Sequence, residues 1–113
     1  MNYLDDMNHT LAEKAADVAS LLAALANEKR LLVLCLLLSG ELSVTALAEE
    51  VGLSQSAMSQ HLAKMRALGL VAGRRDAQTI YYHIASDELR QVMGTLAEIY
   101  CPPDPAMASG RAC

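Results

Sequence analysis

The sequence predicts a mainly α-helical domain of about five helices that carries a two-stranded β wing. The apolar content of 53% is rich in Leu and Ala, with four Tyr and no Phe or Trp, a composition that favours helices. Two short segments, 43–52 and 54–69, each begin with a capping Ser and end with Gly. Alternating apolar residues follow in 70–84, as in a β-hairpin. Helix, tight turn, helix and hairpin, in that order, make a winged helix-turn-helix.

Apolar spacing and capping residues predict the first two helices. Residues 10–24 carry apolar side chains at helical spacing, and the sequence does not reveal what packs on this stripe. The stripe consists of Leu11, Ala15, Val18, Ala19, Leu22 and Leu25. Asn27 is the predicted N-cap of a second helix that runs through Ser39 and ends at Gly40. Because residues 31–38 are apolar on all sides, we expect this helix to be buried.

Two shorter helices are predicted at residues 44–51 and 55–68, with a tight turn between them. Their N-caps are Ser43 and Ser54, and Gly52 and Gly69 end them. Apolar residues in the second of these helices recur at i, i+4, i+7 and i+10, so we expect them to face the core. They are Met58, Leu62, Met65 and Leu68.

Residues 70–76 and 78–84 are predicted strands on either side of a short turn. One face of the second strand carries Ile80, Tyr82 and Ile84, and the other carries Thr79, Tyr81 and His83. Ser86 then caps a last helix that ends at Cys101. Its stripe consists of Leu89, Val92, Met93, Leu96 and Ile99. We therefore expect one domain over residues 1–103, and a disordered tail over 104–113 from its Pro, Ala, Ser and Gly content.

Positive charge is concentrated in one segment of an acidic chain. The 113 residues carry a net charge of −4, yet residues 54–84 hold four basic residues against one acidic residue. A protein that meets a polyanion through one surface is expected to gather its cations there. The segment is therefore predicted to bind DNA, with its helix in the major groove and its wing on the flanking phosphates.

The outward face of the predicted helix 55–68 has side chains suited to reading DNA. Ser and Gln can bond base edges or phosphates, and small residues permit close approach. The face consists of Ser56, Ser59, Gln60 and Ala63, flanked by Gln55 and Lys64. On the wing, Arg74 and Arg75 suit phosphate contacts or a minor-groove probe. The helix alone could equally be a solvated face, but the ordered segment as a whole favours DNA binding.

His61 lies on the border between the core face and the outward face of the same helix. Histidine serves as a hydrogen-bonded structural residue, as a ligand and as a DNA contact. We interpret His61 as a hydrogen-bonded structural histidine at the helix packing junction.

Several other classes of protein are disfavoured. The longest apolar run, residues 31–38, is far shorter than the roughly 20 residues of a membrane span. The first ten residues lack the basic start and apolar centre of a signal peptide, so we expect a cytosolic protein. Three cysteines without CxxC spacing argue against a secreted disulfide framework and a zinc ribbon. The sequence has no Gly-rich phosphate loop, activated-serine motif or evident carboxylate pair, which disfavours an enzyme.

The chain resembles the ArsR/SmtB family of winged-helix repressors in three segments. These are ANEKRLLVL at the second helix, SQSAMSQHLAKMRALGLV at the helix-turn-helix and RRDAQTIYYHI at the wing. The resemblance covers roughly residues 10–101. It implies a homodimer, built from the first and last helices, that binds an inverted repeat in promoter DNA and leaves it when an inducer arrives. Two-fold geometry would place the recognition helices about 34 Å apart, in successive major grooves.

Metal sensing, which is common in that family, is not predicted for this chain. Where one family pattern has paired cysteines in the third helix, this chain has Ser43 and Thr45, which are poor ligands for soft metals. A second pattern uses Asp, His and Glu along the last helix. This chain keeps Asp87 and Glu98 there but has no His, so the usual tetrahedral zinc site is not assembled. We therefore expect neither a metal nor another cofactor.

Two cysteines resemble the pair of a persulfide-sensing, dithiol subgroup of the family, the SqrR, BigR and YgaV type, which the HlyU regulators also resemble. The matching segments are LVLCLLLSGELSV and IYCP. The resemblance implies that Cys35 and Cys101 join through a disulfide or polysulfide bridge when low-molecular-weight persulfides appear. Operator affinity would then fall.

Residue chemistry alone predicts two ordinary thiols. Leucines surround Cys35, and Cys101 ends a helix whose partial negative charge disfavours a thiolate. Two alternatives therefore stay open. One is a general oxidant- or metalloid-responsive repressor that uses the same thiols, and the other is an inducer-independent regulator that displaces another DNA-bound protein. The role of Cys113, in the tail, is also open.

Overall fold

The computed structural model describes residues 10–101, which form five helices of two turns or more and three strands. The helices are α1 (Ala15–Leu25), α2 (Glu28–Leu37), α3 (Val44–Val51), α4 (Gln55–Ala67) and α5 (Asp87–Tyr100). The strands are β1 (Leu42–Ser43), β2 (Val71–Asp76) and β3 (Thr79–Ile84). A helical turn over residues 10–13 precedes α1. The predicted winged helix-turn-helix is confirmed, and the predicted tail, 104–113, lies outside the described residues.

All four predicted N-caps hold the first turns of their helices. In each case a side-chain oxygen accepts a hydrogen bond from the backbone N–H three residues later, at 3.0 or 3.1 Å. The capping residues are Asn27, Ser43, Ser54 and Ser86. At the turn between α3 and α4, Gly52 takes the left-handed conformation with φ 78°, which costs glycine no side-chain clash. The helix-turn-helix therefore follows from local chemistry.

The wing is part of a three-stranded antiparallel sheet with the order β1-β3-β2. The hairpin of β2 and β3 was predicted, whereas β1 was not. In β1, Leu42 pairs with Tyr82 and Ser43 with Tyr81. A two-residue strand is too short to show alternation in a sequence, so only the folded chain reveals it. This third strand joins the segment before α3 to the wing.

The core lies between the helices and the inner face of this sheet. Three α4 side chains have 0% exposure: Met58, Leu62 and Met65. They meet side chains from α2, α3, β2, β3 and α5 in one buried cluster. The inner face of β3 carries Tyr82 and Ile84, as predicted. Within residues 10–101, none of the helices combines the length and apolar character needed to cross a bilayer.

The prediction that Leu68 belongs to the core is wrong, because α4 ends in a Schellman turn. Leu68 is the C-cap and is 49% exposed. The N–H of Gly69 donates to the carbonyl of Arg66, and the N–H of Leu70 donates to the carbonyl of Met65, both at 2.9 Å. This turn reverses the chain, so that Leu70 is buried where a continued helix would have placed Leu68.

The first two helices also differ from expectation. Helix α2 is not buried on all sides, since Leu32 is 40% exposed. The stripe of α1 lies largely at the surface, where Leu22 is 53% exposed, and only Leu25 at its end is buried. At the end of α5, Ile99 is 63% exposed. The first and last helices of a single chain thus present apolar surface to solvent.

We predict that Met65→Ala destabilises the domain far more than Leu68→Ala. Removing the buried Met65 side chain leaves a cavity and is expected to lower the free energy of unfolding by about 2–5 kcal/mol. Truncating the exposed Leu68 should cost less than about 1 kcal/mol. Urea unfolding followed by circular dichroism, at one fixed protein concentration, measures both. Equal losses would contradict the Schellman turn that takes Leu68 out of the core.

Candidate nucleic-acid interface and cysteine pair

The face of α4 opposite the core is polar and exposed. Every residue predicted to read DNA from this helix is exposed: Gln55, Ser56, Ser59, Gln60, Ala63 and Lys64. The helix cannot turn this face away from solvent without exposing Met58, Leu62 and Met65. The side chains of Ser56, Ser59 and Ala63 are short, so the backbone of α4 can approach a partner closely.

A hydrogen bond between α3 and α4 holds Gln55 at the start of the exposed face. The Gln55 Nε2 atom donates to Thr45 Oγ1 at 3.1 Å. Nearby, the hydroxyls of Ser54 and Ser56 lie 3.4 Å apart. From the sequence, Thr45 was identified only as a poor metal ligand. Its contact with Gln55 was missed because the two residues belong to different helices and lie ten positions apart.

The two wing arginines have different surroundings. Arg74 pairs with Tyr81 across the hairpin, and Arg75 pairs with Ile80. Arg74 Nε donates to both carboxylate oxygens of Glu41, at 2.9 and 3.0 Å, and its guanidinium lies 4.8 Å from the centre of the Tyr81 ring. Within the described residues, Arg75 is exposed and has no ion pair. The sequence predicted the same role for both arginines, and Glu41 was not among the predicted site residues.

Charge pairing shifts the titration of both partners. The hydrogen bond from Arg74, helped by the charges of Arg74 and His83, holds the pKa of Glu41 below its ordinary value. The same hydrogen bond raises the pKa of Arg74. Glu41 is therefore ionised at neutral pH and Arg74 is charged. The outer face of the wing carries a matched pair of charges, whereas Arg75 has no ion-pair partner within residues 10–101.

His61 lies half-buried on α4, as expected for a residue between core and surface. Burial lowers the pKa of His61, and the charges of Arg30 and Lys64 act in the same direction. The imidazole is therefore neutral at pH 7. The hydrogen bond expected for His61 is absent among residues 10–101. The neighbouring Arg30 donates to the carbonyls of Ala23 and Ala24 at the end of α1.

The two predicted sensor cysteines lie on different elements. Cys35 is a free thiol in α2, half-buried against the core, and burial raises its pKa. Cys101 is the C-cap of α5 and is also half-buried. It is disulfide-bonded, and because Cys35 is free, the two cysteines are not joined to each other in this structure. The described part of the chain holds no cluster of three or more His, Cys, Asp or Glu that could bind a metal.

The capped helix of α4, its exposed polar face and the adjacent wing define a winged helix-turn-helix DNA-binding protein. A model of the family described as "Bacterial regulatory protein, arsR family" matches residues 27–72. The chain belongs to this ArsR family of DNA-binding transcriptional regulators, whose members are not enzymes. The resemblance seen in the sequence is thereby confirmed.

Individual relatives span most of this chain. The nodulation protein NolR of Rhizobium meliloti is 52% identical over 83% of this chain and 83% of its own length. The transcriptional activator HlyU of Vibrio cholerae is 46% identical over 80% of this chain and 84% of its own. A biofilm growth-associated repressor of Agrobacterium fabrum is 36% identical over 83% of this chain and 80% of its own.

Solved structures give the same result for the fold. Reduced HlyU from Vibrio cholerae aligns with a TM-score of 0.78 at 46% identity, covering 81% of this chain and 97% of that one. The homodimeric winged helix-turn-helix domain of Mb0332 from Mycobacterium bovis aligns with a TM-score of 0.71 at 33% identity, covering 78% of this chain and 82% of that one. These likenesses establish the fold and the family, and the DNA-reading residues remain predictions.

For the DNA interface we predict that Gln60 and Arg75 contribute differently. Gln60→Ala should weaken specific binding about 5- to 100-fold and non-specific binding much less, because an amide reads base edges. Arg75→Ala should weaken both and flatten the plot of log affinity against log salt by about 0.9, because one phosphate contact is lost. Fluorescence anisotropy on operator and random duplexes measures both. The same loss from both substitutions would contradict this division.

Proposed function

We propose that the chain is a homodimeric transcriptional repressor that leaves its operator when reactive sulfur species bridge Cys35 and Cys101. It would act in the cytosol, where promoter DNA and low-molecular-weight persulfides meet. The observation that carries the DNA-binding half is the exposed polar face of α4, together with Arg75 on the wing, which has no ion pair among the described residues. The redox half rests on the two half-buried cysteines of α2 and α5, together with the resemblance to the dithiol subgroup.

In the proposed complex, α4 enters the major groove and the wing follows the flanking backbone. The small residues near Ser59 and Gln60 let the helix approach the base edges, and the Gln amide can pair with adenine. The reading set comprises Gln55, Ser56, Ser59, Gln60 and Lys64. Arg74 and Arg75 would contact phosphates, Arg75 directly and Arg74 after release from Glu41. One such surface reads one half of an inverted repeat.

A second copy of the chain would supply the other half-site. Large apolar side chains remain exposed at both ends of the described chain: Leu11, Leu22, Ile99 and Tyr100. They belong to the segment around α1 and to the end of α5, the two elements from which the family resemblance builds a dimer. A two-fold axis through these helices would bury the same patch on both copies. The Mycobacterium bovis relative, described as homodimeric, supports this assembly.

We predict that Leu22→Glu disrupts the dimer and that Leu68→Glu does not. Leu22 and Leu68 are 53% and 49% exposed, but only Leu22 lies on α1. A carboxylate buried twice in a symmetric interface is expected to weaken association by roughly 100-fold or more. Sedimentation velocity over a range of concentrations measures the dissociation constant. A Leu22→Glu protein as dimeric as wild type, or a Leu68→Glu protein equally dissociated, would argue against this interface.

The proposed chemistry starts from the reduced protein and a low-molecular-weight persulfide. The thiolate of one cysteine attacks the outer sulfur of the persulfide, takes that sulfur and releases the low-molecular-weight thiol. The second cysteine then attacks the inner sulfur of the protein persulfide, forms the disulfide and expels hydrosulfide. Two protein thiols are oxidised, and the transferred sulfur is reduced to sulfide. Two protein persulfides would instead give a trisulfide and one hydrosulfide.

The position of Cys35 explains how such a bridge would reach the DNA-binding surface. Helix α2 packs on α1, α3 and β3, and α5 packs on β3. A covalent link between Cys35 and Cys101 would tie a core helix of the DNA-binding head to the proposed dimer helix. The angle between the two heads would then change, and the spacing of the two α4 helices with it. Loss of that spacing lowers affinity for a two-fold operator.

We predict that glutathione persulfide lowers operator affinity of the reduced wild type by at least about tenfold, a coupling typical of allosteric switches. Peptide mass spectrometry should show Cys35 linked to Cys101, directly or through added sulfur. Because burial raises the pKa of Cys35, its modification should quicken as the pH rises towards that pKa. Cys35→Ser and Cys101→Ser should each abolish the response. Cys113→Ser completes the set: a retained response assigns the bridge to Cys35 and Cys101, and a lost response would bring Cys113 into it.

Parallel treatments separate this proposal from its competitors. Since Cys101 is disulfide-bonded in the structure, every sample is first reduced and freed of reductant. An equal response to peroxide or arsenite would indicate a general oxidant or metalloid sensor using the same thiols. Unchanged free thiols after persulfide treatment would rule out the proposed reaction of the cysteines with persulfide.

A second candidate is an inducer-independent regulator that displaces another DNA-bound protein. The relative HlyU is described as a transcriptional activator, which favours keeping this candidate in the experiment. The Cys35→Ser, Cys101→Ser double variant would then control its promoter as the wild type does under every stress. A double variant locked in repression would support the thiol switch instead.

A further inference from the structure

The outer face of the wing brings Glu41 together with Arg74, which lies 33 positions further along the sequence, and with Tyr81. Pairing of β1 with β3 places Ser43 beside Tyr81, and pairing of β2 with β3 places Arg74 on the other side of Tyr81. Glu41 immediately precedes β1, so its carboxylate reaches Arg74 from across the sheet. The short strand β1 therefore brings a carboxylate next to a wing arginine and balances its charge.

Glu41 occupies the Nε–Nη2 edge of the Arg74 guanidinium. Its Nε donates to both Glu41 oxygens at 2.9 and 3.0 Å, its Nη2 donates to Glu41 Oε1, and its plane lies over the Tyr81 ring. The side chains of Arg74 and Glu41 are 52% and 32% exposed, so a phosphate can reach them. To form a bidentate pair with the Nε–Nη2 edge of Arg74, however, that phosphate must displace the Glu41 carboxylate.

We propose that Glu41 is a specificity-determining residue for DNA binding, which withholds Arg74 from phosphates until the wing is seated on its operator. In a loose, hydrated complex with random DNA, the adjacent carboxylate competes well with a mobile phosphate. In the seated complex a phosphate is held against the wing and displaces it. Glu41 thus lowers non-specific affinity more than operator affinity. The inference rests on the proposed contact of Arg74 with phosphate.

The neighbouring Arg75 shows why one pair of arginines can serve two purposes. It alternates to the other side of β2, opposite Ile80, and has no carboxylate partner among the described residues. Arg75 is therefore available in every encounter with DNA, whereas Arg74 becomes available only after exchange of its partner. Arg75 can therefore contact phosphates in any complex, and only Arg74 discriminates between operator and random DNA.

A double-mutant cycle of Glu41→Gln and Arg74→Gln tests the proposal on a random duplex and on an operator recovered by in vitro selection. Glu41→Gln should tighten random-duplex binding roughly three- to tenfold at about 0.1 M salt and steepen its salt slope by about 0.9, since one more phosphate is engaged. Operator affinity should change less. In the Arg74→Gln background, Glu41→Gln should have no effect. Glu49→Gln, which removes an exposed carboxylate from α3, is the charge-matched control and should leave the slope unchanged.

An equal gain in random-duplex affinity in the Arg74→Gln background would mean that Glu41 merely repels DNA. Weaker DNA binding by Glu41→Gln would mean that Glu41 stabilises the structure of the wing. Either result overturns the proposal. Arginine Nε–H NMR supplies a readout without DNA. The Arg74 Nε–H signal should exchange slowly with water in the wild type and rapidly in Glu41→Gln. Rapid exchange in both would show that Glu41 does not hold Arg74 in solution, which would overturn the proposal. Arg74→Gln with unchanged affinity for both duplexes would instead remove Arg74 from the proposed interface, and the inference with it.

Discussion

The burial of one side of α4 determines what the rest of the molecule can do. Met58, Leu62 and Met65 have no exposed surface, and each contributes about 1.5–3 kcal/mol through its removal from water. Rotating α4 by one residue would move these side chains into solvent and polar ones into the core. The helix is thus held in a single orientation, with Ser59 and Gln60 outward. A reading surface needs this rigidity, because base contacts tolerate little displacement.

Features set by neighbouring residues were predictable from the sequence. Each helix cap requires only an oxygen-bearing side chain and an N–H three residues later, so Asn27, Ser43, Ser54 and Ser86 were identified correctly. The hairpin was predictable for the same reason, since strand alternation and the turn are local. The polar face of α4 followed from the spacing of its apolar residues. Local chemistry therefore specified the fold class and the exposure of the candidate DNA-reading residues.

Features set by distant residues were not predictable. The bond between Glu41 and Arg74 joins positions 33 apart, and it depends on a two-residue strand with no sequence pattern of its own. The exposure of Leu68 depends on a turn that brings Leu70 into the core in its place. Leu22 is 53% exposed because the other described elements leave that side of α1 uncovered. In each case the outcome depends on elements that are distant in the sequence.

The two halves of the proposed switch pose opposite physical requirements. A DNA-reading surface must be exposed and rigid, and α4 meets both needs through its buried side. A sensing thiol must be reactive, yet burial raises the pKa of Cys35 and lowers its thiolate fraction. The same burial places Cys35 against the core that orients α4, so the proposed bond at Cys35 would displace α2 and the elements packed on it. In the proposed switch, slow reaction and strong mechanical coupling would thus arise from one position, because a more exposed thiol would react faster but would move little of the core.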